Sequence, residues 1–107
     1  MTILIDEARW HHCGRKWCHL VSHESYDELH ACADANGIPR RGFQGDHYDI
    51  PEEYRADLIA AGAEVVESRV LLRRLKAAGL RLTPGERRRF QQSVTNAAVR
   101  SPAPEAG

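Results

Sequence analysis

The spacing of hydrophobic positions changes several times along this chain, and each change marks an element. Residues 2–5 are a β-branched, apolar run closed by Asp6, the pattern of a strand covered on both faces. Residues 7–16 follow no period and read as an irregular loop anchored by Trp10. Alternation over residues 17–22 predicts a second strand with Trp17, His19 and Val21 on one face. A helical period follows: Tyr26, Leu29, Cys32 and Ala33 share one side of a segment that opens with Ser25 and Glu28 at capping-box spacing and closes at Gly37.

Residues 38–44 read as a turn leading into a short third strand at Phe43 and Gln44. Asp49, three residues before Glu52, predicts a helix N-cap, with the helix running to about Ala61 and stopped by Gly62. Residues 63–66 form the expected fourth strand. Ser68 then caps a third helix that buries Leu71, Leu75 and Ala78 before Gly79. Thr83, Pro84 and Glu86 start one more helix, whose apolar stripe of Phe90, Val94 and Ala97 is thin. Residues 101–107 read as a disordered tail.

Strands alternating with helices predict an α/β fold: a small, mostly parallel sheet of about four strands flanked by three helices, plus a C-terminal basic helix. A length of 107 residues suits one domain, expected over residues 1–80, with an appended basic helical segment at 81–100 that adds little to folding. No apolar run is long enough to span a membrane. Three cysteines and a short, uncharged N-terminal run suggest a reduced, cytoplasmic protein.

Charge changes the picture more than composition does. The net charge is zero, yet residues 1–68 carry 6 Lys/Arg against 13 Asp/Glu, and residues 69–107 carry 9 against 2. This split favours self-association, as a homo-oligomer, or contact of the basic segment with a polyanion.

The candidate chemistry lies around residues 43–51 and 14–20. His19, His30, His47 and Asp49 are imidazoles and a carboxylate that suit a divalent transition metal or acid–base work near neutral pH. Asp6 sits at a strand end, where open α/β sheets bind ligands. Arg15, Arg40 and Arg41 suit a phosphate, with Gln44 and Tyr48 beside them. A structural zinc at His11, His12, Cys13, Cys18 and His19 is disfavoured, because no second cysteine pair follows. P-loop, dinucleotide-binding, H-E-x-x-H and G-x-S-x-G signatures are absent.

Several short motifs together carry a resemblance: the strand-closing Asp6, then Gly14-Arg15, Cys18-His19-Leu20, Glu28-Leu29-His30-Ala31, Phe43-Gln44, His47-Tyr48-Asp49-Ile50 and Gly62-Ala63. Over roughly residues 2–80 the chain resembles a bacterial and phage family, domain of unknown function 4031. The resemblance implies a small cytoplasmic domain, sometimes joined to others, and no established activity. Two features depart from it: His23 stands where the family is expected to carry an acid, and a basic extension follows Gly79.

The leading expectation is a module that binds a phosphorylated ligand, nucleotide or nucleic acid, through an Arg/His cleft formed by Asp6, Arg15, His19, His30, Arg40, Arg41, Gln44, His47, Tyr48 and Asp49. One alternative is a small metal-dependent hydrolase or nuclease using Asp6, His47 and Asp49. Another is a phage or bacterial accessory protein that binds a host protein.

Overall fold

The computed structural model describes residues 2–8, 10–12 and 14–91. One sheet contains β1 (Ile3–Ile5), β2 (Trp10–His12), β3 (Arg15–Ser22), β4 (Tyr48–Pro51) and β5 (Glu64–Val65). The helices are α1 (Tyr26–Ala35), α2 (Arg55–Ala60) and α3 (Ser68–Ala77). Residues 84–91 form a further helical stretch. The rest of the expected basic helix and the tail lie outside the described residues.

The long strand β3 organises the sheet. On one edge it pairs antiparallel with β1 through Leu20 to Ser22, and with β2 through Arg15 to Trp17. On the other edge it pairs antiparallel with β4. Among the described residues, the parallel pair is β1 and β5. The sheet is therefore mixed and mostly antiparallel, which corrects the expected mostly parallel arrangement. The reason lies in residues 7–16. They are not an irregular loop but supply β2, and the β2–β3 turn passes through Gly14 at φ +76°. So short a connection closes a hairpin, whereas a parallel pair needs a crossover of a dozen or more residues.

Two more expectations are corrected near residue 50. The strand expected at Phe43 and Gln44 forms at Tyr48–Pro51 instead, and Phe43 makes only an isolated bridge to Tyr48. Tyr48 and Ile50 are buried while Asp49 and Pro51 face outward, so side-chain alternation outweighs the capping signal. Asp49 is therefore not an N-cap. The chain leaves β4 through a 3₁₀ turn at Glu52–Tyr54, with Pro51 at its cap position, before α2 begins. At α3 the expected cap is also corrected: Ser68 is the first helical residue after Glu67 and turns its hydroxyl to Asp6 instead, and Ala78 is exposed while Leu71 and Leu75 bury. The signals at α1 and ahead of residue 84 hold. Ser25 Oγ caps α1 by accepting the Glu28 N–H, and Gly37 follows its end at φ +73°. Thr83 and Glu86 complete a reciprocal capping box ahead of 84–91.

The two sheet faces are covered unequally. Leu29 and Ala33 of α1 and Leu58 of α2 pack with Ile3, Ile5, Leu20, Tyr48 and Ile50 on one face. On the other, Leu71 and Leu75 of α3 pack on Leu4 and Val21. That helix covers the β1 side of the second face. Trp17 and His19 of β3, with Pro51 and Asp49 opposite them on β4, lie on the same face farther along the strands.

Candidate metal centre

His19 and Asp49 are register partners on neighbouring strands and therefore point to the same side. His47 joins them from the turn between Phe43 and Tyr48, a turn closed by the Gln44 N–H donating to the His47 carbonyl at 2.7 Å. One donor atom from each of His19, His47 and Asp49 lies within 4.8 Å of the others. The imidazoles meet edge to face, with ring centres 5.2 Å apart. His47 Nε2 is 3.1 Å from Asp49 Oδ1.

Each imidazole is braced from behind by a buried carboxylate. Asp6, at the end of β1, takes the His19 ring at Nδ1 over 2.8 Å and the His19 backbone N–H over 2.6 Å. Ser68 donates its hydroxyl to Asp6 at 2.7 Å, and Arg55 Nε donates to the Asp6 carbonyl at 2.9 Å. Asp46 takes the His47 ring at Nδ1 over 2.7 Å. Its second oxygen accepts the Leu82 N–H at 2.9 Å and faces Arg81 at 3.5 Å and Arg87 at 3.7 Å.

These contacts set the protonation chemistry. Burial works against the ionised form of Asp6, but the bonds from His19 and Ser68 outweigh it and hold this carboxyl below its usual range. Asp46 behaves alike: burial is overcome by His47, the Leu82 N–H and Arg81. Burial disfavours a charged His47, yet its bonds to Asp46 and Asp49 push its pKa up to about 9.

The donor set fits a divalent cation. A carboxylate at Nδ1 orients each ring with Nε2 toward the shared centre, the pattern of metal-binding histidines. In the metal-free protein His47 Nε2 bonds Asp49 as a protonated ring, and a cation would take the place of that proton. Two imidazoles and one carboxylate suit zinc, iron or manganese. His19 at 36% and Asp49 at 28% side-chain exposure remain accessible to an incoming group.

Of the residues expected to share a cleft, His19, His47 and Asp49 converge, with Asp6 behind them. His30 and Tyr48 do not join them. They are bonded to each other at 2.7 Å, and Tyr48 is buried with the apolar core on the opposite face of β4. Burial, followed by the charge of Arg40, lowers the pKa of His30. Arg40 pairs with Asp34. Arg15, Arg41 and Gln44 line a cleft of about 560 Å³ that also includes Asp49. Cys18 is buried on the core side, opposite His19, where its thiol faces the Ile50 carbonyl and desolvation pushes it up to about 12. The side chains of His12 and Cys13 lie outside the described residues.

Sequence reasoning missed the bracing groups Asp46, Ser68, Arg55, Arg81 and Arg87. Asp46 had a local signal, since it directly precedes His47 in a glycine-led turn. The partners of Asp6 come from 49 and 62 residues away, and no local spacing announces them.

Among known families, one model matches the chain over residues 3–78, and it is described as a protein of unknown function, DUF4031. No curated protein and no solved structure matches.

Proposed function

The chain belongs to the DUF4031 family, a membership that brings no activity with it, and from its own residues we propose a small hydrolase that works through a divalent cation held by His19, His47 and Asp49. The observation that carries this reading is the pair of imidazoles, each fixed at Nδ1 by a buried aspartate and both turned toward one accessible carboxylate. A histidine pair serving only the core would not need two separate buried anions behind it, because burying a carboxylate is costly unless it is fully bonded.

Three protein donors favour a reactive centre over a structural one, because structural zinc sites close their coordination with four. A bound cation supplies positive charge to polarise an oxygen of the substrate and to activate water. The protein's part is to hold the rings still. Asp6, fixed by Ser68 and the β3 backbone, orients His19; Asp46, fixed by Leu82, Arg81 and Arg87, orients His47. Of the readings open from the sequence, the metal-dependent hydrolase fits this geometry best, with His19 as a ligand and Asp6 behind it.

Zinc uptake by the untagged protein tests the proposal. Metal-free protein incubated with Zn²⁺ and desalted should carry one ion per chain by elemental analysis. The His47→Ala/Asp49→Ala double variant, shown by circular dichroism to be folded, should lose it. Equal zinc content in the two proteins, or none in the wild type, overturns the assignment.

A further inference from the structure

The metal centre opens at Asp49 onto a cleft built from different residues, and from its lining we infer that the substrate is a nucleoside phosphate. This rests on the metal-dependent reading above and names its substrate class. The cleft has a volume of about 560 Å³, within the usual range of about 300–1,000 Å³ for small-molecule sites. Asp49 belongs both to its wall and to the donor group. A ligand lying in the cleft would therefore meet the donor group at Asp49, while His19 and His47 line a separate, smaller pocket with Asp6 and Ser68.

The rest of the lining divides by chemistry. Trp17 and Tyr54 offer aromatic surface, and Pro39 and Pro51 extend the apolar part. Flat aromatic surfaces suit a nucleobase, because every base presents a stacking face. Arg15 and Arg41 line the same cleft, and guanidinium groups donate two parallel hydrogen bonds to phosphate. Among the described residues Arg15 is engaged by Glu53 at 3.5 Å, with both side chains about half exposed. So long and solvated a pair yields readily to a ligand. A purely apolar ligand would leave both guanidinium groups unused, and inorganic phosphate alone would leave the aromatic surface unused.

Calorimetric titration of the zinc-loaded full chain with AMP, adenosine and inorganic phosphate separates these possibilities. AMP should bind at least about tenfold more tightly than adenosine or phosphate alone. The Arg15→Ala/Arg41→Ala variant should lose that advantage while keeping its zinc, because neither residue is a metal donor. A 5′-phosphorylated tetranucleotide that binds more tightly than AMP identifies a strand end as the source of the nucleoside phosphate, and weaker binding identifies the free nucleotide. AMP binding no better than adenosine, or unchanged in the double arginine variant, overturns the substrate assignment even if zinc is bound. Absence of zinc in the same preparation overturns the metal reading instead, and elemental analysis reports it separately.

Discussion

Asp46 is fully enclosed, and its two carboxylate oxygens serve different parts of the chain: one holds His47, the other the Leu82 N–H and the guanidinium groups of Arg81 and Arg87. Removing it leaves the His47 ring and the Leu82 N–H without their acceptor and two part-buried guanidinium groups without their anion. A buried polar group deprived of its partner typically costs about 1–3 kcal/mol, more where charge is involved. Asp49 is different. It is partly exposed, sits in a strand, and bonds His47 Nε2, so its loss should cost less than about 1 kcal/mol. Denaturant unfolding of the metal-free variants should therefore find Asp46→Ala far less stable than Asp49→Ala; the reverse order would show that Asp46 is not the anchor. The same measurements across pH address His47. Its folded pKa, about 9, lies above its ordinary value of 6.5. The group's contribution to stability is therefore fully present below about pH 6.5 and is lost as pH rises through about 9. Metal-free wild type should lose stability over that window relative to His47→Ala, and parallel pH profiles would contradict the assigned bonds.

The segment after Leu80 carries a similar lesson for elements. A thin apolar stripe and a run of arginines suggested a loosely appended helix, yet residues 81–91 contribute Leu82, Arg81 and Arg87 to Asp46, and Phe90 meets Phe43 with ring centres 5.4 Å apart. Gly45, at φ +102°, admits this docking. A Cβ there would lie 2.9 Å from Leu82 Cδ1. A chain ending at Leu80 should therefore be less stable than the full chain by about 1–3 kcal/mol, the usual cost of depriving a buried polar group of its partners. Equal stability of the two would support the loosely appended helix. The elements legible in the sequence were those specified by neighbours: the Ser25 cap and Gly37 stop of α1, the strand ending at Asp6, and the Thr83–Glu86 box. What escaped was decided at a distance. β2 becomes a strand because β3 offers it an edge, and Asp49 becomes a strand residue because its neighbours Tyr48 and Ile50 bury on β3. Likewise the convergence of His19 with Asp49 was invisible until the β3–β4 register brought them opposite each other, while His30, one helical turn from Tyr26, turned to Tyr48 instead.

Across the whole molecule, the charge split along the sequence looks different once the chain is folded. The acidic first part and basic last part meet within one protomer: Arg81 and Arg87 face Asp46, and Arg74 pairs with Glu64. The part-buried Asp46 contacts are screened less by salt, whereas the exposed Arg74 pair is worth at most about 1 kcal/mol. Charges already facing each other within a chain are less available to a second copy. Apolar surface offers little more. Among the described residues, Val65 on the short strand β5 is the exposed large hydrophobic side chain, and one such residue falls short of the contiguous patch that a stable interface needs. The folded protein should therefore sediment as a monomer at both low and high salt, despite the sequence-level expectation of charge-driven pairing. Sedimentation velocity over a range of protein concentrations checks this. A dimer that forms at low salt and dissociates at high salt would show that enough charge remains outside the intramolecular pairs to drive assembly. A dimer indifferent to salt would instead require apolar surface other than that of the described side chains.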